Sequence, residues 1–478
     1  MTALPSASRR ALLVMGATVV TGLVTYVFLG IVSRGVAALA PDAASGDAAF
    51  DMFSVFWSVA LVVGFGLFLP VEQELARLGA HGADVRAAVR AALRLSAVVA
   101  LAGVAVVAIA APLLLGAGMP PGLVVAYALI APVSALQFTA RGAMVARGDV
   151  PAYSRVLLAD SGLRVALALA ALLLLTALDL PDAVSWFAAA LLAAIALAHV
   201  PVLLRAGTRT RVVADEAPGA GDGVDPALVA VEGAAVGSAA VEGAAVEGDA
   251  GTAARGRATT SIRRAYLALL GAGVCAQLLL NAGPVVIAAL DRTVGTAGAF
   301  QATFSVARVP LFMLVPLQGL IVPPLVAYVR RGETAALIRR MSLLAAAIAG
   351  LGVVAGVVAA LAGPAVIELV FGEGRSLPAL DVGILVLGVF AHVGLVIGTQ
   401  ALIATDRHRD SSLAWATALV SAATATALLQ GPLGWATAIA AGFGAGSLIG
   451  WITALLRLRA VGTRQVRLAR TDTHKETP

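Results

Sequence analysis

The sequence predicts an all-α integral membrane protein with twelve transmembrane helices, arranged as two parallel-repeat six-helix bundles. Three observations lead to this prediction: the composition, twelve long apolar runs, and a similarity between the two halves. Of the 478 residues, 60% are hydrophobic and only 13% are charged. A soluble domain carries about twice that charged fraction. The composition therefore excludes a water-soluble globular enzyme.

The twelve apolar runs are each long enough to span a bilayer, which takes about 20 residues of helix. Lipid offers no partner to open backbone groups, so each run is expected to be helical. Four prolines, Pro310, Pro316, Pro323 and Pro324, predict a kink in the eighth run. The runs lie near 11–32, 52–71, 95–116, 121–140, 154–177, 184–204, 264–290, 299–328, 341–363, 382–404, 411–430 and 435–456.

The distribution of Lys and Arg predicts the orientation. Of the 33 such residues, 28 lie in segments on the same side as the N-terminus. Arg34, Arg292 and Arg375 lie on the opposite side, and Arg164 and Arg308 lie within runs. The positive-inside rule then places both termini in the cytoplasm. The first run is longer than a signal-peptide core, so we expect it to remain as a span of a multi-pass cytoplasmic-membrane protein.

The two halves share short sequence features at a nearly constant offset of about 250 residues. An even number of spans separates the equivalent features, so the halves have the same orientation. A parallel repeat of this kind predicts a binding site between the halves, near the membrane midplane. The matching features are Arg9-Arg10 with Arg263-Arg264, Phe53-Ser54-Val55 with Phe304-Ser305-Val306, Pro112 with Pro364, and 146–149 with 404–407.

The segment between the halves differs from the rest of the chain. Residues 230–236 recur as residues 240–246, and no Lys, Arg or aromatic residue occurs from 212 to 254. Such a segment cannot bury enough apolar surface to fold. We interpret it as a passive linker, with a regulatory tether as the alternative. The predicted domains are an N-terminal bundle (1–206), a disordered cytoplasmic linker (207–262), a C-terminal bundle (263–457) and a basic cytoplasmic tail (458–478).

Metal, redox and catalytic chemistry are not expected. The chain has a single cysteine, Cys275, and five histidines without metal-ligand spacing. It therefore lacks a thiolate metal site, an iron–sulfur cluster and a disulfide framework. Clustered acids or a histidine-based nucleophile at the interface are also missing. We expect no cofactor, no catalytic residue and no enzymatic activity.

Polar residues within the runs are the candidates for a binding site, because burying charge in a membrane is costly and usually functional. Arg164 can pair with Asp160 one turn earlier. We interpret Gln137, Arg141, His199, His392 and Gln400 as helix–helix hydrogen-bonding residues, with a cavity role as the alternative. Glu72 and Glu74 are expected to form a solvated rim near Arg77. Arg86, Arg90 and Arg94 are expected to form a basic stripe on a short cytoplasmic helix.

Several segments resemble the polysaccharide and lipid-linked oligosaccharide flippases of the multidrug, oligosaccharidyl-lipid and polysaccharide exporter superfamily. These segments are Phe300 to Arg331, Ala365 to Glu373, and the small-residue turns after the fourth and tenth runs. The resemblance implies two bundles in a V shape around a central cavity. It also implies that an undecaprenyl-diphosphate-linked glycan crosses the membrane by alternating access. The two additional helices usual among relatives of the lipid II flippase are missing.

The resemblance implies a phosphate contact, for which Arg308 is the main candidate. No acid occurs from Phe300 to Arg331, and the guanidinium can bind phosphate oxygens bidentately. Alternatively, Arg308 pairs with Asp160 or binds carbonyls freed by Pro310 or Pro316. The full set of candidate substrate-binding residues is Arg308, Arg34, Arg292, Asn281, Gln277 and Arg164. Arg34 and Arg292 occupy corresponding outer ends of the first and seventh runs, where they could form a gate or snorkel to headgroups.

Two other functions remain open. A cation-coupled multidrug exporter usually has carboxylates in its bundles, but here the first run has none. The seventh run offers only Gln277 and Asn281 before Asp291. A transporter-like scaffold for cell-envelope assembly is the other alternative. The usual signature of a major facilitator is absent from Leu67 to Arg77. The expected partners are the lipid-linked glycan, membrane lipids, and a glycan polymerase or glycosyltransferases; nucleic acid is not expected.

Overall fold

The computed structural model describes residues 6–80, 82–115, 119–208, 254–291, 293–311, 333–405 and 407–473, together with Tyr328 and Arg331. Within these residues all regular secondary structure is helical. The first half contains α1 (Ser6–Leu39), α2 (Ala43–Leu61), a π-helical segment (Val62–Phe68), α3 (Leu69–Ala80), α4 (Val85–Leu115), α5 (Pro121–Ala146), α6 (Val150–Leu178) and α7 (Ala183–Thr208). The second half contains α8 (Ala254–Leu290), α9 (Thr296–Ala307), α10 (Thr334–Phe371), α11 (Ala379–Ala404), α12 (His408–Leu433) and α13 (Trp435–Thr473).

Eleven helical stretches in the described part of the chain are long and apolar enough to cross a membrane. Each coincides with one of the predicted runs, and the two-bundle, all-α prediction is confirmed. The remaining run, near 299–328, begins as α9 and continues to Leu311, after which 312–327 lie outside the described residues. The predicted kink at Pro316, Pro323 and Pro324 therefore falls there as well.

The helices of the two halves pair in the same way, which confirms the parallel repeat. In the first half α5 packs against α4 and α7, and α6 packs against α7 and α1. In the second half α11 packs against α10 and α13, and α12 packs against α13 and α8. Each half has its own apolar core. The core of the first half extends across the boundary to Ile367, Phe371 and Val382 of the second half.

The second span is the irregular one among those described. It runs from Ala43 to Gly79 and contains the π-helical segment, where Gly64 and Gly66 interrupt the apolar sequence. Single π turns inside α-helices are rare and often mark functional regions. Gly66 packs against Gln277 and Val274 of α8, so the irregular turn lies at the junction of the halves.

Several helices extend beyond the predicted boundaries. α7 ends at Thr208, α8 begins at Ala254, and α13 continues to Thr473. Helix extension is favourable once a turn exists, and polar residues outside the membrane do not stop it. Both ends of the predicted linker are therefore helical, and its repeated segment lies outside the described residues. The prediction of a separate short helix for Arg86, Arg90 and Arg94 is wrong, because these residues lie in the first three turns of α4.

Candidate functional site

A cavity of about 130 Å³ lies between the halves. Most of its lining comes from α1, α2, the π-helical segment, α5 and α6 of the first half. The second half contributes Leu280, Arg308 and Leu311. The site is therefore at the predicted interface but belongs mainly to one half.

One wall of the cavity is formed by a polar face of α1. Thr18, Thr21, Gly22, Thr25 and Tyr26 line the cavity, and their spacing places them on adjacent turns of one helical face. The hydroxyl of Thr18 donates to the carbonyl of Val14 at 2.9 Å, and that of Thr25 donates to the carbonyl of Thr21 at 2.8 Å. The helix backbone therefore satisfies these donors, while their oxygens can still accept a hydrogen bond from a ligand.

The charged residues of the lining are mostly cations. Arg141, Arg164 and Arg308 line the cavity, whereas Asp160 is the one acid among the lining residues that the structure describes. The predicted pair of Arg164 and Asp160 is present: the Arg164 Nε donates to Asp160 Oδ1 at 3.1 Å, and a second nitrogen contacts Oδ2. The lining therefore has an excess of positive charge.

Arg308 lies where α9 ends and points into the cavity. Its guanidinium donates to Asn281 Oδ1 at 2.8 Å and lies 5.2 Å from the centre of the Phe304 ring. Asn281 in turn donates to Gln277 Oε1 at 2.9 Å. A neutral amide thus positions Arg308, and within the described residues it forms neither the ion pair with Asp160 nor a bond to a freed carbonyl. The structure brings together three predicted site residues, Arg308, Asn281 and Gln277.

Arg141 is part of a buried cluster that the sequence did not predict. Its guanidinium donates to the Tyr153 hydroxyl at 3.3 Å, and its Nε lies 3.5 Å from Glu72 Oε2. The prediction that Glu72 and Glu74 form a solvated rim is wrong, because their exposed fractions are 5% and 2%. The cause is the close approach of α3 to α5 at Gly142, where a Cβ atom would lie 2.9 Å from Glu72 Cα.

Arg34 lies away from the cavity, at the end of the bundle expected to face outside. It is exposed, and its guanidinium donates to the carbonyls of Glu368, Leu369 and Val370 at the end of α10. It therefore joins the two halves and does not line the binding site. Arg292 lies outside the described residues.

The contacts between the halves at this end form what we call the outer gate: Ser33, Arg34, Asp47 and Asp51 of the first half with Gly295, Gly298, Phe371 and Arg375 of the second. Asp51 accepts hydrogen bonds from the amides of Gly295 and Gly298 at 2.7 and 2.6 Å. Arg375 pairs with Asp47 at 2.8 Å. Burial lowers the pKa of Arg375, and the charges of Asp47 and Asp51 oppose this shift. The two halves are therefore in contact at the outer gate in this structure.

The remaining polar residues within the spans serve different roles. Gln137 lies in the cavity wall one turn before Arg141. The His199 Nδ1 contacts the carbonyl of Ile195 at 2.8 Å. His392 contacts Ser447 and stacks on Phe443 in the core of the second half. His392 thus has the predicted helix–helix hydrogen bond, the bond of His199 stays within its own helix, and Gln137 lines the cavity.

Comparison with solved structures identifies the architecture. An inward-facing multidrug resistance MATE family transporter of the MOP superfamily matches with a TM-score of 0.62 over 96% of this chain and 99% of that chain, at 12% identity. The chain has the MATE fold. A MOP superfamily transporter from Pyrococcus furiosus, described as having a binding pocket of reverse polarity that suggests a different function, matches at 0.57 and 13% identity over 95% of both chains.

The structure of a mutant of the Vibrio cholerae MATE transporter VcmN also matches this chain. The TM-score is 0.53 at 13% identity, over 95% of this chain and 97% of that chain. No protein-family model matches the sequence, and comparison with curated protein sequences gives no match. The residues that line the cavity of this chain therefore indicate which ligands it can hold. An apolar chamber with a polar α1 face and a guanidinium, Arg308, that is held by a neutral amide can hold an amphiphile that carries a negative headgroup.

Proposed function

We propose that the protein is a transporter that flips an undecaprenyl-diphosphate-linked oligosaccharide or cell-wall precursor across the cytoplasmic membrane by alternating access. The observation that carries this proposal is Arg308, a cation that faces the cavity and is held by a neutral amide. Burying such a charge inside a membrane protein is costly unless a ligand or a wet cavity compensates it. A diphosphate offers the oxygens that a guanidinium binds bidentately.

The fold supports transport, because the solved proteins that share it are transporters. The contacts at the outer gate support a cycle in which the halves separate at that end to release the substrate. The apolar parts of the lining, such as Leu29, Leu61 and Phe65, suit a prenyl chain. Asn281 would assist as the residue that positions Arg308, and Arg164 would assist as a hydrogen-bond donor in the wall whose charge Asp160 balances.

Flipping of a fluorescent undecaprenyl-diphosphate-linked glycan in proteoliposomes tests this proposal. We expect Arg308→Ala to abolish flipping and Arg308→Lys to weaken it by about tenfold or more, because an ammonium cannot reproduce the bidentate contact. Arg155→Ala is the matched control, because Arg155 is exposed, does not line the cavity and, among the described residues, donates to the Pro151 carbonyl of its own helix. Wild-type flipping by folded Arg308→Ala protein would contradict the proposal.

A cation-coupled multidrug exporter is the second candidate. It is favoured by the multidrug transporter among the structural neighbours and by Asp160, which places one carboxylate in the cavity. Against it, Asp160 is already paired with Arg164, and the cations of the lining repel cationic drugs. Efflux of a cationic dye that depends on a sodium or proton gradient, without flipping of the glycan, would favour this candidate. Polymerases, glycosyltransferases and a scaffolding role are further proposals, for which co-purification from membranes is the appropriate test.

A further inference from the structure

Glu72 is a buried acid directly behind the wall of the cavity. One of its oxygens accepts a hydrogen bond from the Tyr153 hydroxyl at 3.1 Å, and the other lies 3.5 Å from Arg141 Nε. A buried carboxylate keeps its negative charge only when a nearby cation and hydrogen bonds compensate for lost water. The ionisation of Glu72 therefore depends on Arg141.

Arg141 can meet an anion other than Glu72, because it lines the cavity whereas Glu72 does not. Its separation from Glu72 is longer than the 2.7–2.9 Å usual for a charge-assisted hydrogen bond. By contrast, Glu74 on the same helix holds Arg77 with two bonds of 2.7 and 2.8 Å. A phosphate group in the cavity can thus compete for Arg141, whereas it cannot reach the tighter Glu74–Arg77 pair.

The other groups around Glu72 do not replace Arg141. Tyr153 is the donor from α6, and α4 and α8 pack beside α3 through Ala88, Val89 and Tyr266. Asp160 lies in the cavity wall, paired with Arg164, and its charge acts on Arg141. The charges of Asp160, Arg141 and Arg164 act on His199. Within the described residues, Arg141 is the cation that contacts Glu72.

We propose that Glu72 is a proton-coupling site, at which binding of a phosphate-bearing ligand to Arg141 is accompanied by protonation of the Glu72 carboxylate. The proton comes from bulk water and adds to a carboxylate oxygen, and the neutral acid keeps its contact with Tyr153. Linkage then requires that the protein takes up a proton for each ligand that binds. Protonation of Glu72 must also strengthen ligand binding by the same factor by which the ligand strengthens proton binding to Glu72. This inference rests on the proposed function, because it assumes that the cavity binds a phosphate anion.

Calorimetric titration of the full-length protein in detergent with geranyl diphosphate tests the coupling. Titrations at one pH in two buffers of different ionisation enthalpy give the number of protons taken up. We expect the wild-type protein to take up about one proton more than Glu72→Gln. Protons that the diphosphate itself gains or loses on binding cancel when the two proteins are compared. Raising the pH should weaken wild-type binding relative to Glu72→Gln by up to about tenfold per pH unit while free Glu72 is ionised.

Glu74→Gln is the control, because it removes a buried acid of the same helix that does not contact Arg141; it should match the wild type. Equal proton uptake by wild-type and Glu72→Gln protein would overturn the coupling but leave the proposed function intact. A wild-type protein that does not bind geranyl diphosphate would overturn both. If Glu72→Gln does not fold, infrared spectroscopy of the wild-type protein tests the coupling. The carbonyl band of a protonated carboxyl group should grow when ligand is added. A band that does not grow would contradict the coupling.

Discussion

At the scale of single residues, the site depends on which groups compensate each arginine. Arg164 has a carboxylate on its own helix, and Arg141 shares one with Tyr153. Among the described residues, Arg308 has the amide of Asn281 and the ring of Phe304. The same side chain can therefore be a structural ion pair, a shared contact or a ligand-binding cation. The partner decides the role, because it sets how much positive charge remains for a ligand.

Replacing Asn281 with an acid tests this interpretation of Arg308. Asn281→Asp would place a carboxylate where the amide oxygen now lies, 2.8 Å from the guanidinium, and so compete with a diphosphate. We expect binding of geranyl diphosphate to weaken at least about tenfold, which corresponds to about 1.4 kcal/mol. Calorimetry measures this change, and an unchanged or raised melting temperature would show that the fold is intact. Binding as tight as in the wild type would mean that Arg308 does not contact the ligand.

At the scale of helices, the second half is held together by close contacts between small residues. Gly446 and Gly450 of α13 face Ala418 and Ala422 of α12. Such contacts let helix backbones approach in a membrane, where apolar lipid gives no hydrophobic drive for association. Apolar residues of the spans thus have two kinds of surroundings. One face of α13 packs tightly against α12, while exposed residues of α10 such as Leu361 face the lipid.

Two glycine substitutions of identical chemistry should have opposite effects. A Cβ atom at Gly450 would lie 2.6 Å from the Ala418 Cβ and 2.9 Å from the Ala414 carbonyl oxygen, so Gly450→Ala should cost about 1–3 kcal/mol. Nothing lies within 4 Å of a Cβ atom at Gly350 of α10, so Gly350→Ala should be neutral or stabilising by up to about 1 kcal/mol. Melting temperatures in detergent measure both. Equal shifts would contradict the packing described for α12 and α13.

At the scale of the whole molecule, the halves meet at the outer gate and along the second and seventh spans. The outer gate combines an ion pair, hydrogen bonds from an aspartate to backbone amides, and the contact of Arg34 with three carbonyls. Each of these links joins one half to the other, so all of them must break for the cavity to open at that end. The proposed alternating access would require the loss of this defined set of polar contacts.

A reversible cross-link across the outer gate should stop transport. A Cβ atom at Gly30 would lie 3.4 Å from Val370 Cγ1, the position that a cysteine sulfur at 370 would take, and 2.9 Å from the Val370 carbonyl oxygen. After a small backbone shift that relieves the second contact, Gly30→Cys and Val370→Cys should form a disulfide, once the native cysteine is removed by Cys275→Ser. We expect oxidation to abolish flipping in proteoliposomes and reduction to restore it. The two single-cysteine proteins serve as controls. Undiminished flipping by protein that is fully cross-linked would show that the outer gate does not open during transport.

The sequence by itself determined the membrane-spanning helices, the repeat and the pairing of Arg164 with Asp160, because these follow from local hydropathy, from similarity between halves and from spacing on one helix. Only the tertiary structure decided that Arg34 joins α10 and that Glu72 is buried beside Arg141. Both depend on how closely separate helices approach, as α3 does to α5 at Gly142. The sequence did not determine the contact of Arg308 with Asn281 either, because the two residues belong to different helices. A linear pattern does not specify which faces of two helices meet.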